Sequence, residues 1–567
     1  MIPNQMRDQL HATIDAPMAT PLATPAEPAL DRPAWWRSGV IYQVYPRSFS
    51  DTNGDGVGDL AGLINHLDYL NDGSPASLGI DAIWLSPIYP SAGFDSGYDV
   101  SDYTEIDPLF GDLADFDRLV TEAHRRGIRL ILDQVLNHTS YLHPWFVASR
   151  SARTGSQADW YIWRDPAGYG PGGRPRRPNN WVSFFGGPAW TWDETRRQFY
   201  LHTFLPEQPD LNWRHPEVRA ALFDVIRTWL DRGVDGLRFD VFNAFYKHAE
   251  LPSNPYRPGG RRAYSRQVHL YDKNQPELLE LLAEIRRVVD ERPGRMTVGE
   301  LFEGSVVQAA SYAQPGHLIF DFSLIHQPWR ARAFARAVAE REAAFGPEGW
   351  PTVVMSNHDQ PRSASRYDGA AGDARAKVAA TLLLTLRGTP FLYYGEEIGL
   401  RDVEIPRDEI QDPAARRSKG WWNRDQARTP MPWGPGPNDG FSTGRPWLRM
   451  SLEGATRNVK SQVADPGSIL SHYRRLTWLR RSSPALAVGS YQELAIGDAS
   501  VFAYLRRAGG QTALVLLSFG RRSVPIALPP SPSGRPWRAA LSTHDPLPPG
   551  VERTKLRPLE AVILVDD

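Results

Sequence analysis

The alternation of short apolar segments with amphipathic stretches constrains this fold more than any other feature of the sequence. The amphipathic stretches, for example residues 113–127 and 216–233, carry apolar residues at helical spacing and end near glycine. Continuously apolar strands that alternate with helices predict a parallel sheet covered by helices, and eight such strands predict a closed (β/α)8 TIM barrel of the α/β class. The apolar segments are residues 40–46, 82–87, 128–135, 234–241, 296–301, 317–322, 352–359 and 389–397.

Two stretches interrupt this alternation. Residues 138–210 are dense in Trp, Pro and Gly and are too long for an ordinary loop, so we expect an inserted subdomain after the third strand that caps the barrel mouth. A second insertion, residues 245–276, follows the fourth strand. Beyond the last helical stretch the apolar residues alternate in strand fashion between Gly and Pro turns, which predicts a small antiparallel β-domain at the C-terminus.

These patterns divide the chain into four predicted parts. The first part is rich in Ala, Pro and Thr, a composition typical of a mobile tail. The parts are an N-terminal tail, residues 1–33; the catalytic barrel, residues 34–137 and 211–485; the inserted subdomain, residues 138–210; and a C-terminal β-sandwich domain, residues 486–567.

Composition excludes several classes of function. The net charge of −1 gives no reason to expect nucleic acid or an anionic membrane as a partner. The absence of cysteine rules out disulfides and thiolate chemistry. No apolar run is long enough to span a bilayer, and residues 1–33 lack the continuous apolar core of a signal peptide. We therefore expect a cytoplasmic monomer or homodimer whose partners are small neutral substrates.

Polar side chains follow several of the predicted strands, at the end of a barrel where active sites lie. Three are carboxylates, Asp240, Glu300 and Asp359, each after a different strand. Hydrolysis of a glycosidic bond needs two carboxyl groups, one ionised and one that holds a proton. Arg238 stands two residues before Asp240 on the same side of the strand, which predicts an ionised nucleophile. Glu300 has no basic neighbour in sequence, which predicts a protonated acid.

Histidines accompany these carboxylates. His138 follows the third strand and His358 immediately precedes Asp359. In this arrangement Asp359 would support a developing oxocarbenium ion, while the two histidines would hydrogen-bond the hydroxyl groups of a sugar ring. The sequence therefore predicts a glycoside-cleaving site at the barrel mouth.

The sequence DTNGDGVGD, residues 51–59, follows the first strand and predicts a calcium site. Oxygen-bearing side chains at alternating positions around a glycine match the first nine positions of an EF-hand loop, although the bidentate Glu of position twelve is missing. We expect one structural Ca²⁺ and no organic cofactor. The candidate ligands are the side chains of Asp51, Asn53, Asp55 and Asp59 and the backbone carbonyl of Val57.

Several motifs resemble the α-amylase superfamily of glycoside hydrolases. They are DQVLNH (133–138), GLRFDV (236–241), VGEL (298–301) and SNHDQPR (356–362). QPDLN (208–212) resembles the oligo-1,6-glucosidase and α-glucosidase branch, as do WWRSGVIYQVYPRSF, SGYDVSDY, WYIWRDP, FFGGPAW and RTPMPW. The resemblance runs from about Trp35 into the C-terminal domain. It implies a retaining, exo-acting α-glucosidase that removes terminal α-linked glucose from disaccharides and short oligosaccharides through a glucosyl-enzyme intermediate, with a single calcium in the loop after the first strand.

The resemblance also implies roles for single residues. Asp240 matches the nucleophile, Glu300 the acid/base and Asp359 the transition-state stabiliser. The residue after the nucleophile is Val241. In the resembling enzymes Val at this position accompanies α-1,6 cleavage, so isomaltose is an expected substrate beside maltose and sucrose.

The resemblance also implies a lid over the substrate pocket. In the resembling enzymes an Asp upstream of SGYD pairs with an Arg near RTPMPW and closes the pocket over the glucose 4-hydroxyl. Here the Asp is Asp95, and the Arg is either Arg424 or Arg428. Tyr98, Phe184 and Phe204 are candidate walls for the sugar ring.

Three other functions fit parts of this pattern. A transglucosidase or a sucrose isomerase would use the same double displacement with another acceptor in place of water. A non-catalytic barrel relative would lack a catalytic carboxylate or carry a membrane helix, and this sequence does neither. An endo-acting amylase would lack QPDLN and the pocket lid.

Overall fold

The eight predicted strands form one parallel sheet in the part of the chain that the structure describes. The computed structural model describes residues 34–369, 371–417, 422–544 and 555–566, so the predicted N-terminal tail lies outside the described residues. The barrel strands are β1 (Ile41–Val44), β2 (Ala82–Leu85), β3 (Arg129–Gln134), β4 (Gly236–Phe239), β5 (Met296–Gly299), β6 (Leu318–Ile319), β7 (Thr352–Val354) and β8 (Thr389–Tyr393).

The strand order is that of a (β/α)8 barrel, β7-β8-β1-β2-β3-β4-β5-β6. Ile41 of β1 pairs with Ala82 of β2 on one side and with Phe391 of β8 on the other. Between β6 and β7 the Thr352 hydroxyl donates to the Ile319 carbonyl (3.0 Å) and accepts from the Asp321 amide (3.1 Å). The predicted fold is therefore confirmed, with side-chain hydrogen bonds joining the last pair of strands.

Helices cover the outside of the sheet. The helix of residues 113–125 is an example. A capping box of Asp112 and Asp115 stabilises its start, and its apolar face is buried against the interior of the protein. The barrel helices are Leu60–Asn65, Leu67–Leu70, Leu113–Arg125, Pro216–Asp231, Leu278–Asp290, Val306–Tyr312, Ala331–Phe345, Gly372–Thr385 and Ile469–Ser482. The other α-helices are Trp35–Ser38, Pro144–Ser151, Ser363–Arg366, Pro413–Arg417, Val459–Val463 and Pro484–Val488. The 3₁₀ helices are Pro46–Ser48, Pro171–Gly173, Phe242–Ala244, Tyr264–Arg266, Ser323–His326, Glu396–Ile398, Asp425–Ala427 and Pro437–Gly440.

The excursion after β3 has its own small sheet. Its strands, Trp163–Arg164, Trp190–Asp193 and Gln198–Leu201, are antiparallel. A bridge between His138 and Asp210 brings the two ends of the excursion together. This bridge places His138 at the base of the insertion and at the mouth of the barrel. The domain boundaries assigned from the sequence stay predictions.

The C-terminal region forms a five-stranded antiparallel sheet and a two-stranded one. Trp537 and Val524 belong to the buried cluster between them. The five strands are Ser490–Leu494, Val501–Ala508, Gln511–Ser518, Arg538–Ser542 and Ala561–Asp566; the two are Val524–Pro525 and Lys555–Leu556. The sequence did not predict Ser490–Leu494 or Arg538–Ser542. The first strand has largely exposed residues and so lacks an apolar alternation. In the second strand only Arg538 is exposed, but its short sequence, RAALS, does not alternate between apolar and polar residues. No described helix has the length and apolar character needed to cross a membrane.

Two buried glutamates follow β8. Glu396 accepts hydrogen bonds from the Ser363 hydroxyl (3.0 Å) and the Tyr393 amide (3.3 Å), and Glu397 accepts from the hydroxyls of Tyr42 and Tyr69. Burial raises the pKa of Glu396 to about 7. The folded chain therefore favours the protonated form of this side chain.

We expect this buried glutamate to make stability depend on pH. Below the ordinary pKa near 4.5 both the folded and unfolded chains hold the proton, and stability is lost as the pH rises through about 7. The difference of about 2.5 pKa units corresponds to ~3 kcal/mol. Glu396→Gln keeps the shape of the neutral side chain. Urea unfolding should show that the free energy of unfolding falls between pH 5 and pH 8 by about that much less in the variant than in the wild type. Equal losses in both proteins would contradict the assignment.

Candidate active site

A cavity of about 500 Å³ opens at the carboxyl ends of the barrel strands. Its volume is in the range of small-molecule sites. Nine of the residues predicted from the sequence line it: Asp95, Tyr98, His138, Phe184, Phe204, Asp240, Glu300, Asp359 and Arg424. Residues separated by more than 300 positions in the chain therefore meet around one space.

Arg238 lies under this cavity and binds three carboxyl groups. Its Nη1 contacts Asp133 (2.6 Å) and Asp240 (2.8 Å), and its Nη2 contacts Glu300. Asp240 and Glu300 are therefore held by the two terminal nitrogens of one guanidinium. One guanidinium cannot neutralise three buried carboxylates, so this group of side chains retains a proton.

The expected ionisation of Asp240 by Arg238 alone is wrong for the free protein. Burial is the largest effect and raises the pKa of Asp240 well above its ordinary value, and the charges of Glu300 and Asp133 raise it further. Arg238 acts in the opposite direction but is shared. Sequence spacing showed only the Arg238–Asp240 pair, since Asp133 comes from β3 and Glu300 follows β5.

Asp359 has the opposite environment. Burial favours its neutral form, but the positive charges of Arg424, Arg428 and Arg238 outweigh burial and lower the pKa of Asp359 below its ordinary value. Arg428 Nη2 lies 2.7 Å and Arg424 Nη1 3.4 Å from Asp359 Oδ1. Asp359 is therefore a fixed negative charge at the cavity wall, as a stabiliser of an oxocarbenium ion requires.

His358 is held as a neutral hydrogen-bond donor. Gln43 Nε2 donates to His358 Nδ1 (2.8 Å), which leaves the proton on Nε2, 2.7 Å from the Tyr98 hydroxyl. The Tyr98 hydroxyl donates in turn to Asp133 (3.1 Å), and the Tyr98 and His358 rings are parallel. Burial lowers the pKa of His358 to about 3.

His138 is likewise buried and neutral. Its Nδ1 accepts from Asn137 Nδ2 (3.1 Å) and its Nε2 donates to the Tyr98 carbonyl (3.1 Å). Burial lowers the pKa of His138 to about 4. Both predicted histidines are thus fixed in orientation, and of the two only His138 lines the cavity.

Of the two candidate arginines, Arg424 is the one that pairs with Asp95. Its Nη2 lies 2.6 Å from Asp95 Oδ1, whereas Arg428 binds Asp359 and the His358 carbonyl. Asp412 holds Arg424 from behind through the Arg424 amide, Nε and Nη2. The sequence analysis missed Asp412, because an Asp before Pro413 is typical of a helix cap and its contact with Arg424 arises only in the fold.

Aromatic side chains form the rest of the wall. Phe184 and Phe204 lie where predicted, and the sequence analysis missed Phe302 and Trp422. Trp422 gave no signal because its loop follows β8 and reaches the cavity through tertiary packing alone.

Val241 also lines the cavity and has an uncommon backbone conformation. Its φ of 37° and ψ of 39° are left-handed, a region that a β-branched residue rarely occupies. Such strain persists only where the surrounding structure enforces it and is concentrated at functional sites. The backbone after Asp240 is therefore tightly constrained.

The predicted calcium loop is closed by its own hydrogen bonds. Asp51 accepts from the amides of Gly54 and Gly56 (both 2.8 Å), and Asp55 accepts from Asn53 Nδ2 (3.1 Å). Asp59 caps the next helix through the Gly62 amide (2.6 Å). No set of three or more acidic or histidine side chains in the described ranges is close enough to hold a metal ion by itself. A cation here would need the oxygens of Asn53 and Val57 in addition, and these are hard donors that suit Ca²⁺.

Comparison with known proteins identifies the family to which the chain belongs. The model for the alpha amylase catalytic domain matches residues 43–489. The chain is 44% identical to a probable alpha-glucosidase of Rhizobium meliloti (strain 1021), over 87% of this chain and 91% of the relative. It is 36% identical to an oligo-1,6-glucosidase of Parageobacillus thermoglucosidasius, over 93% and 98%. The crystal structure of an alpha-glucosyl transfer enzyme superposes with a TM-score of 0.86 at 40% identity, over 94% of this chain and all of the other. With its barrel, its three carboxylates and these matches, the chain belongs to the alpha-amylase family of glycoside hydrolases.

Proposed function

We propose that this protein is a retaining, exo-acting α-glucosidase for terminal α-linked glucose in disaccharides and short oligosaccharides. The observation that carries the proposal is the meeting of Asp240, Glu300 and Asp359 in one cavity that the Asp95–Arg424 pair closes. A pocket closed at the glucose end has room for a chain end but not for a chain that continues through it.

The spacing of the two reactive carboxyl groups supports retention. Asp240 contacts Nη1 of Arg238 (2.8 Å) and Glu300 contacts Nη2 of the same guanidinium. Inverting enzymes separate their carboxyl groups by ~6.5–9.5 Å to leave room for a water, whereas retaining enzymes hold them at ~5–5.5 Å. Two carboxyl groups on adjacent nitrogens of one guanidinium fit the closer spacing.

The chemistry then proceeds in two steps. In the first, the Asp240 carboxylate attacks C1, Glu300 donates its proton to the glycosidic oxygen, and the C1–O bond breaks. In the second, Glu300 takes a proton from water, the water oxygen attacks C1, and the ester to Asp240 breaks. Asp359 balances the positive charge that develops on the ring in each transition state. Two inversions at C1 return the α configuration.

Glucosyl transfer is the second candidate, and the similarity to an alpha-glucosyl transfer enzyme favours it. The first step is the same, and a sugar or alcohol replaces water in the second. Incubation with maltose, isomaltose, sucrose and trehalose separates the two functions. Hydrolysis gives two monosaccharides per bond cleaved, whereas transfer gives new oligosaccharides or a sucrose isomer. No turnover of any of these substrates would contradict both candidates.

The Asp95–Arg424 pair should govern recognition of the chain end. We expect Arg424→Ala to lower kcat/KM for maltose by about a hundredfold or more, because a buried carboxylate then loses its partner. Maltose without its terminal 4-hydroxyl should react poorly with the wild type, and the variant should lose little further rate on it.

Burial also raises the pKa of Asp95 to about 6, so KM should rise as the pH falls below that value.

A surface pair on the same stretch of chain is the control. Arg449 pairs with Glu409 but is half-exposed, so Arg449→Ala should leave kcat/KM nearly unchanged. If Arg424→Ala lost the same factor on maltose and on the 4-deoxy substrate, the pair would not contact the 4-hydroxyl.

We also propose that the loop of residues 51–59 binds one structural Ca²⁺. The loop anchors a distant segment, since the Asp51 amide donates to the Phe441 carbonyl (3.0 Å) and Ser442 Oγ donates to Asp51 Oδ2 (2.5 Å). A bound cation would neutralise the acidic cluster and stiffen this junction.

Removal of calcium should therefore lower thermal stability. We expect EDTA to lower Tm by several degrees and added Ca²⁺, but not Mg²⁺, to restore it, because a ligand at a hundred times its Kd contributes ~2.7 kcal/mol. Asp55→Ala should abolish the response. Asp72→Asn removes an exposed carboxylate that caps a different turn and should keep it. A Tm that ignores both chelator and Ca²⁺ would contradict the proposal.

Location and assembly belong to the same proposal. We propose a cytoplasmic monomer or homodimer, which the cysteine-free composition and near-zero net charge support. Cell fractionation and light scattering test the two parts separately.

A further inference from the structure

The cavity has two chemically different ends. Ionic and hydrogen-bonding groups surround the glucose end, where Asp95, Arg424 and Asp359 meet. The opposite end begins at Glu300, since the acid must face the glycosidic oxygen and the aglycone lies beyond that atom. Phe302 follows two residues after Glu300 and lines the cavity. The aglycone end therefore starts against an aromatic ring.

This ring is the first of a continuous aromatic wall. Phe302 lies 4.6 Å from Phe184 between ring centroids, and Phe184 lies 5.2 Å from Trp422. All three line the cavity. Lys273 places its ammonium 4.6 Å from the Phe302 ring and pairs with Glu303 (2.8 Å). The three rings give the wall an apolar surface, and the Lys273–Glu303 pair borders it, with Glu303 also lining the cavity.

Trp422 is the third member of the wall, and side chains from both insertions contact it. Phe184 comes from the inserted subdomain, and Arg262, from the insertion after β4, lies 5.0 Å from the indole ring. Arg424, two residues along the chain from Trp422, lies 5.7 Å from the same ring. The indole is half-buried, fixed on several sides and exposed toward the cavity. A preorganised apolar surface binds a ring without first being ordered.

We propose that Trp422 is a specificity-determining residue of the aglycone subsite, where with Phe184 and Phe302 it packs against a leaving group or acceptor that presents an apolar ring face. An aryl group fits this wall better than a small alkyl group. The inference rests on the proposed function and names the class of aglycone for that same site.

The test compares two glucosides that share the glucose end. For 4-nitrophenyl α-glucoside and methyl α-glucoside, Trp422→Ala should lower the ratio of the two kcat/KM values about fivefold to tenfold, as expected for a lost ring contact. Trp422→Phe should restore most of the ratio. Trp192→Ala is the control, because Trp192 is half-buried on the inserted sheet, packs on Phe199 and does not line the cavity.

A second readout separates binding from positioning. Glucose occupies only the glucose end, so its inhibition constant should stay the same in Trp422→Ala. An unchanged ratio of the two kcat/KM values would overturn the proposal. An equal fall in kcat/KM for both substrates, together with weaker glucose binding, would also overturn it, because Trp422 would then act by positioning Arg424. Failure of the wild type to cleave either glucoside would instead overturn the proposed function, and the inference with it.

Discussion

Replacing Asp240 with Asn should lower kcat by more than about a thousandfold on every α-glucoside, because no group then forms the covalent intermediate. Asp240 follows β4, contacts Arg238 and lines the cavity beside Glu300. An asparagine preserves the size of the side chain. The loss should therefore appear in steady-state rates while Tm changes little.

A smaller side chain gives a sharper result. In Asp240→Gly, azide can enter the vacated space and attack C1 of 4-nitrophenyl α-glucoside from the face that Asp240 used. The 4-nitrophenolate leaves, and a single inversion gives the β-glucosyl azide. Product with the α configuration would show that Asp240 is not the attacking group.

The other end of the same strand supplies the control for Asp240. Asp235 stands before β4, is buried, and accepts hydrogen bonds from the Leu130 amide (3.0 Å) and Arg295 (2.9 Å). Asp235→Asn should lower Tm and leave kcat near the wild-type value at moderate temperature. Substantial turnover by a folded Asp240→Asn protein would contradict the assignment of the nucleophile.

Replacing Glu300 with Gln should give a loss that depends on the leaving group. For maltose the departing sugar needs a proton, and loss of the acid should lower kcat/KM by ~10²–10⁴. An aryl glucoside with an acidic phenol needs little protonation, so its kcat/KM should fall far less. Its kcat should still fall, because no base then activates water in the second step.

Azide also distinguishes this variant from the loss of the nucleophile. It needs no general base, so it should restore turnover of the glucosyl-enzyme in Glu300→Gln and give the α-glucosyl azide after two inversions. An equal loss of kcat/KM for maltose and the aryl glucoside would contradict the role of Glu300 as the acid.

The barrel and the positions of its carboxylates could be predicted because they depend on local pattern. Each strand is a short, continuously apolar run, and the C-terminal end of a barrel strand is a fixed location. Asp240, Glu300 and Asp359 therefore needed only their own strands to be placed at the mouth. Ser490–Leu494 was missed for the converse reason, since its exposed side chains give no apolar alternation.

Relations between distant loops could not be predicted in the same way. The choice of Arg424 over Arg428 depends on the contact with Asp412. The aromatic wall depends on Phe184 of the inserted subdomain meeting Trp422 of the loop after β8. The charge state of Asp240 depends on how many carboxylates share Arg238. These carboxylates come from different strands and meet only in the folded protein, so the sequence does not reveal their number.

The anomeric configuration of the first glucose released tests the central claim most directly. In deuterated buffer, proton NMR follows the cleavage of 4-nitrophenyl α-glucoside, whose aglycone contributes no glucose signal. The double displacement through Asp240 predicts that α-glucose appears first and that β-glucose grows in later by mutarotation. Early release of β-glucose would contradict retention, and with it the roles assigned to Asp240 and Glu300.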